Sequence, residues 1–149
     1  MKKRQRMRRM RNTEIHPTKT CFDDALDLLG ELLRQQPDLG IRGQLVLELR
    51  LVHARCLAPD GHPYAHAWVE DRKTGRALFC GILRGTRQYF QVDAAAYQRS
   101  VGMQEAVRYT FAEALRLNHQ SGHYGPWVEE WRALCGGNRQ WESSTPQPS

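Results

Sequence analysis

The sequence predicts an α+β fold in which an N-terminal helix packs on an antiparallel β-sheet that is followed by C-terminal helices. Three observations support this class. Apolar residues recur at helical spacing over residues 20–34, strand-like segments follow one another from residue 45 to residue 93, and helical patterns return after them. Consecutive strands without intervening helices form antiparallel sheets rather than βαβ units. A chain of 149 residues that is 40% apolar and 26% charged suits one globular domain.

The first helix is predicted over residues 20–34. Thr20 followed three positions later by Asp23 is a plausible N-cap pair, which places Cys21 in the first helical turn. Pro37 and Gly40 end the element. One face carries an apolar stripe, formed by Phe22, Leu26, Leu29 and Leu33 and widened by Ala25, Leu28 and Leu32.

The next four elements are predicted to be strands of an antiparallel meander. Leucines alternate with Glu48 and Arg50 from residue 45 to residue 51, which predicts a half-buried strand that continues towards Cys56. After a turn over residues 59–63, the remaining predicted segments are a strand over about 65–72, a hairpin turn over 73–76, and strands over 77–83 and 87–93.

The part of the chain after the sheet is predicted to be helical. An amphipathic helix is expected over roughly 103–118, and a break at residues 122–126 precedes a short last helix over 127–134. The inner face of the long helix would carry Val107, Phe111, Ala114 and Leu115.

The basic charge of the chain is concentrated at its start. Residues 1–12 hold seven of the 22 Lys and Arg side chains and no acid, so residues 13–149 carry 15 basic and 16 acidic side chains. We predict a disordered basic arm over 1–12, one domain over 13–135 and a polar, disordered tail over 136–149. The arm is interpreted as a solubilising leader or as misassigned upstream sequence, and the alternative is an electrostatic arm for nucleic acid.

Two further features of the sequence suggest a cytoplasmic protein. No apolar run approaches the ~18 residues that a membrane span needs, and the basic start has no apolar segment of the secretory type behind it. Cysteines occur at positions 21, 56, 80 and 135 without a CxxC pair, so free thiols are expected in a reducing compartment.

Three residues have the side chains and the predicted placement of a thiol catalytic site. Cys21 opens a helix, where backbone N–H groups and the helix dipole favour a thiolate. His66 lies near the start of a strand, and Asp93 ends a later one. A thiol nucleophile needs a base within hydrogen-bond reach, and an acceptor that fixes the tautomer of the base improves it. Against this, Asp23 and Asp24 put negative charge near Cys21, which opposes thiolate formation.

The order of these residues resembles the transglutaminase-like group of papain-like cysteine enzymes. The resemblance rests on a helix that opens with Cys21, a strand with the sequence His-Ala-Trp-Val-Glu from His66 to Glu70, and a strand that ends in Val-Asp at Asp93. It covers about residues 18–97. It implies that Cys21 is the nucleophile, His66 the base and Asp93 the residue that orients the base. It also implies a hydrolase or acyltransferase that acts on an amide or ester carbonyl of a protein or peptide and requires no cofactor.

Other readings of the same residues stay open. Cys21 could be a core residue, and Asp93 could cap the segment after it, because aspartate is a preferred N-cap. The domain would then be a non-catalytic binding module of the same fold, with residues 1–12 on nucleic acid, or an inhibitor. A zinc site is a further alternative, since four residues of zinc-ligand type lie close together in the sequence, namely Cys56, His62, His66 and Cys80.

Overall fold

The computed structural model describes residues 15–17, 21–35 and 48–135. The elements in chain order are β1 (Ile15–Pro17), α1 (Cys21–Arg34), β2 (Leu49–Leu57), β3 (Pro63–Asp71), β4 (Arg76–Leu83), β5 (Thr86–Asp93), α2 (Ala94–Ser100), β6 (Met103–Tyr109), α3 (Phe111–Ser121) and a 3-10 turn (Glu129–Trp131). None of the helices in these ranges is long and apolar enough to cross a membrane.

The strands form one six-stranded sheet in which every pairing is antiparallel. Strands β2 to β5 pair in chain order as a meander, and β6 adds to the free edge of β2. The short strand β1 pairs with β4. Helix α1 before the β2–β5 meander and helices α2 and α3 after it make the α+β class that the sequence predicts.

The pairing of β3 with β4 is short. It extends only from Val69↔Leu78 to Asp71↔Arg76, whereas β4 pairs with β5 along its whole length. The first half of β3, which contains His66, therefore has no paired residue on β4. The same edge of β4 pairs with β1 at residues 81–83.

The two faces of the sheet carry different parts of the core. Helix α1 packs on one face against alternate residues of β3, namely Ala65, Ala67 and Val69. The opposite face buries Trp68 and Tyr97, and the latter lies on α2. The alternation follows from the two-residue period of a strand, and it puts His66 on the Trp68 face.

Most of the predicted elements are confirmed within the described residues. Helix α1 starts one residue after the predicted start, strands β2 to β5 match the predicted strands within a few residues, and the turn between β3 and β4 falls at residues 72–75. The predicted Thr20 cap, the start of the β2 pattern at residues 45–47, the arm over 1–12 and the tail over 136–149 lie outside the described residues.

The predicted helix over 103–118 is wrong. Residues 103–109 form strand β6, and the helix of this region begins at Phe111. Two of the expected inner residues, Val107 and Leu115, are exposed. Tertiary structure overrides the local pattern, since β2 offers an unpaired edge along which residues 103–109 complete the sheet. Thr110 then caps α3 through a reciprocal capping box with Glu113.

Candidate functional site

Cys21 is the first residue of α1, and its side chain is nearly buried. The first four N–H groups of a helix have no partner within the helix, so the backbone around Cys21 presents donors and the positive end of the helix dipole. The start of α1 therefore puts the positive end of the helix dipole beside this thiol.

His66 is buried on the opposite face of β3, where it contacts a tyrosine that the sequence analysis did not assign. Its Nε2 lies 2.7 Å from the Tyr97 hydroxyl, which is hydrogen-bond distance. Tyr97 is fixed in turn by a stacked contact with Phe79 and an edge-to-face contact with Trp68. Burial lowers the pKa of His66 to about 4, so the ring is neutral at pH 7.

Cys21 lies near the same group of rings although it belongs to the other face of the sheet. The pKa of Tyr97 is raised by burial first and next by the charge of a thiolate at Cys21. The pKa of Tyr64 is raised by burial and by the charges of Cys56 and Cys21. A charge at Cys21 therefore acts on both tyrosines, whereas burial alone shifts the pKa of His66.

Asp93 does not lie beside His66, and the orienting role predicted for it is corrected. Its carboxylate accepts a hydrogen bond from the Ala96 N–H and caps α2. In the strand register, Asp93 of β5 pairs with Arg76 of β4, and Arg76 pairs in turn with Asp71 of β3. Asp71 is roughly 16 Å along β3 from His66 at the usual rise per strand residue. The N-cap alternative for Asp93 is therefore confirmed.

Glu70, the last residue of the His-Ala-Trp-Val-Glu segment, holds the neighbourhood of His66 together. It accepts hydrogen bonds from Trp68 Nε1 at 3.0 Å, Gln98 Nε2 at 2.8 Å and Arg108 Nε at 2.9 Å. Burial acts to raise the pKa of this carboxyl, but the three donors and the Arg108 charge outweigh it and lower the pKa. Glu70 thus ties β3 to α2, which carries Tyr97, and to β6.

One of the two acidic residues expected to oppose a thiolate at Cys21 is neutralised. Asp24 is buried one turn after Cys21 and forms an ion pair with Arg87 of β5. The same guanidinium donates to Cys80 Sγ through its Nε at 3.1 Å. A cation on the Asp24 carboxylate cancels most of its field at Cys21, so the repulsion is largely removed.

The zinc alternative finds no support. No group of three or more His, Cys, Asp or Glu side chains able to hold a metal ion occurs among the described residues, which include all four candidates. His62 sits on the exposed turn after β2, where its ring contacts Asp60. The four cysteines, all of them described, form no disulfide.

Sequence reasoning missed the residues that surround the pair. Tyr97 lies 31 positions after His66, and nothing in the local sequence links the two residues. Tyr64 precedes His66 by two positions and therefore shares its face of the strand, which is a usable signal. Arg87 reaches Asp24, and Arg108 reaches Glu70, because of the register of β5 and β6 in the sheet. The sequence alone does not specify that register.

Comparison with known proteins returned no match, whether by protein-family model, curated protein sequence or solved structure. The resemblance to transglutaminase-like enzymes therefore rests on the residues quoted for it.

Proposed function

We propose that this chain is a cysteine-dependent hydrolase or acyltransferase in which Cys21 is the nucleophile, His66 the base and Tyr97 the residue that positions the base. The observation that carries the proposal is the hydrogen bond between His66 and Tyr97, together with a cysteine that begins a helix and whose charge acts on the same tyrosine. A buried imidazole held in one orientation near a thiol is the arrangement that activates a thiol nucleophile.

The tautomer of His66 follows from the proposed chemistry. Nε2–H donates to the Tyr97 hydroxyl oxygen, which leaves Nδ1 without a proton and able to accept one from the Cys21 thiol. The thiolate then attacks the carbonyl carbon of an amide or ester. The C–N or C–O bond breaks, and the imidazolium returns its proton to the leaving amine or alcohol.

Burial of His66 favours the neutral ring that accepts a proton, but it disfavours the imidazolium that forms afterwards. A pKa of about 4 keeps the ring neutral at pH 7, which is the form that accepts a proton. The same burial disfavours an isolated imidazolium. The thiolate formed at Cys21 in the same step supplies the opposite charge, so the proton transfer creates an ion pair rather than a single buried cation.

The helix that carries Cys21 also offers groups for the developing oxyanion. The Cys21 backbone N–H is one of the first four donors of α1, which have no acceptor inside the helix. Donors of this kind, aimed at the oxygen of a tetrahedral intermediate, commonly contribute ~3 kcal/mol each to catalysis.

The acyl group on Cys21 would pass to water in a peptidase or amidase, or to an amine in an acyltransferase. A protein or peptide substrate in the cytoplasm fits both fates, and the reaction needs no cofactor because thiol, imidazole and backbone supply the nucleophile, the base and the oxyanion donors.

The test is acylation of the protein by p-nitrophenyl acetate, followed by release of p-nitrophenolate and by peptide mass mapping. We expect acetylation at Cys21. His66→Ala should slow acylation about 100-fold or more, in line with the usual contribution of a general base. Tyr97→Phe should slow it about tenfold, which corresponds to the loss of one hydrogen bond. It should also move the acid limb of the pH–rate profile to lower pH, because the imidazolium loses an acceptor.

Cys80→Ser is the matched control, since Cys80 is a buried thiol that contacts Arg87 rather than a histidine. Its acylation rate should equal that of the wild type. Acetylation at another cysteine, or an equal rate in wild type and His66→Ala, would reject the enzyme and leave a binding module of the same fold.

A further inference from the structure

His53 is a buried histidine that the proposed chemistry does not use. It lies on β2, and within the described part of the chain neither of its ring nitrogens has a hydrogen-bond partner. Aromatic rings surround it, with centroid distances of 4.7 Å to Phe22, 5.2 Å to Tyr109 and 4.8 Å to Trp127. A protonated ring in this place would bury a charge and two unsatisfied donors.

The loop from Gly122 to Trp127 covers this ring. A Cβ atom at Gly125 would lie 2.4 Å from His53 Cε1 and 3.2 Å from Phe22 Cδ1, so the Gly125 backbone lies directly against both rings. Phe22 follows Cys21 in α1. Movement of the loop would therefore uncover His53 and the start of the helix together.

A second histidine, His123, holds the loop in place. Its carbonyl oxygen accepts hydrogen bonds from Asn118 Nδ2, Ser121 Oγ and Trp127 Nε1, each at 3.1 Å. Its Nδ1 accepts one from the Gly125 N–H at 3.0 Å, and Arg132 Nη1 contacts its Nε2. A neutral imidazole accepts at one nitrogen only, and the bond from the Gly125 N–H makes Nδ1 that acceptor. A doubly protonated His123 ring has no acceptor and cannot keep this bond.

We propose that the Gly122–Trp127 loop is an acid-sensitive latch, closed while His123 is neutral and opened when protonation of His123 breaks its bond to the Gly125 N–H and exposes His53. This inference does not depend on the proposed function, although the latch borders the helix that carries Cys21.

The charged and titratable groups around the two rings act in the direction that the latch requires. The pKa of His123 is lowered by partial burial and by the Arg132 cation, and the Glu129 carboxylate acts in the opposite sense. Tyr109 is the titratable side chain that contacts His53 from β6, and burial raises its pKa, so it stays neutral. Phe22 of α1 and Ala67, the register partner on β3, carry no charge.

Exposure of His53 makes the equilibrium between the closed and the open loop depend steeply on pH. Burial first, and the nearby His123 second, lower the pKa of His53 to about 3 in the closed loop. Once exposed, the ring regains its ordinary value of about 6.5. Between these values each fall of one pH unit favours the open form about tenfold through His53 alone. At pH 4.5 this corresponds to roughly 50-fold relative to pH 6.5.

Amide hydrogen exchange of the full chain, measured by NMR from pH 7.5 to pH 4.5 and corrected for intrinsic exchange chemistry, tests the latch. We expect the Gly125 amide and the Trp127 indole N–H to lose protection at least tenfold over this range, while the β2–β3 amides stay protected. His123→Asn keeps a neutral acceptor near the Nδ1 position that cannot be protonated in this range, and should lose less protection than the wild type, because only the contribution of His53 remains. His62→Asn removes an exposed histidine of β2–β3 and should behave as the wild type.

Three results would overturn the proposal. Gly125 protection could persist to pH 4.5 in the wild type, it could be lost equally in His123→Asn, or the loop and the β2–β3 amides could lose protection together. The last result would mean global unfolding rather than a local latch.

Discussion

Replacement of Glu70 by glutamine tests whether the end of the His-Ala-Trp-Val-Glu segment is structural. Glu70 is almost fully buried and accepts hydrogen bonds from Trp68, Gln98 and Arg108. Glutamine has nearly the same shape, but it offers one acceptor oxygen where the carboxylate offers two. Its NH₂ group must then face a donor, and Arg108 loses its anionic partner.

The expected loss of stability follows from these contacts. The single amide oxygen of glutamine can serve the Oε2 donors, Trp68 and Gln98, or the Oε1 donor, Arg108, but not both sets. One or two hydrogen bonds to a charged group are therefore lost, each worth about 1.5–3 kcal/mol. Arg108 is 38% exposed and can be partly rehydrated, which reduces the cost of its lost partner. We expect Glu70→Gln to lower the free energy of unfolding by about 2–4 kcal/mol.

Urea unfolding followed by far-UV circular dichroism at pH 7 measures this loss. At a slope of about 2 kcal/mol per molar urea, the midpoint should fall by about 1–2 M with an unchanged slope. Glu105→Gln on the exposed part of β6 is the control and should change stability by less than about 0.5 kcal/mol. A loss for Glu70→Gln no larger than that of the control would refute the role assigned to this carboxylate.

Three further predictions concern stability and use the same assay. Gly125→Ala should cost about 2–4 kcal/mol, because alanine at φ +116° is strained and its Cβ would overlap His53. Gly122→Ala, at φ +76° in open space, should cost only about 1 kcal/mol, and equal costs would contradict the packing of Gly125 on the ring. Thr110→Ala removes the capping box of α3 and should cost about 1 kcal/mol, which thermal unfolding would show. Because His66 has its pKa lowered to about 4, the folded state binds fewer protons than the unfolded state below pH 6.5, and the wild type should lose about 2 kcal/mol between pH 7 and pH 5 through this residue. His66→Gln should lack that part of the pH dependence, and an unchanged slope would show that His66 is not buried neutral.

The sequence was sufficient for elements whose periodicity agrees with their burial. Helix α1 keeps one apolar stripe, with Leu29 fully buried, and the meander strands lie between recognisable turns. The sequence was insufficient where a segment takes its structure from the strand with which it pairs. Residues 103–109 become a strand because the edge of β2 accepts them, and their own pattern reads equally well as one side of a helix.

The candidate site was predictable in part for the same reason. Cys21 and His66 were identified from local context, namely the start of a helix and a distinctive strand segment. The orienting partner was not, because Tyr97 reaches His66 across 31 positions through the packing of α2 on the sheet. Asp93 had the right residue type at the end of a strand, but the register between β3, β4 and β5 puts it at the far end of β3.

The most direct test of the proposed function is the rate of alkylation of each cysteine by limiting iodoacetamide at pH 6, in wild type and in His66→Ala. Cys135 is the most accessible of the four thiols and serves as the internal reference. Accessibility alone predicts that Cys135 reacts first, since an ordinary thiol has a pKa near 8.5 and the buried Cys21 is shielded. The account predicts instead that Cys21 reacts faster than Cys135 in the wild type and slower in His66→Ala. Faster reaction of Cys135 in both proteins would contradict an activated nucleophile at Cys21.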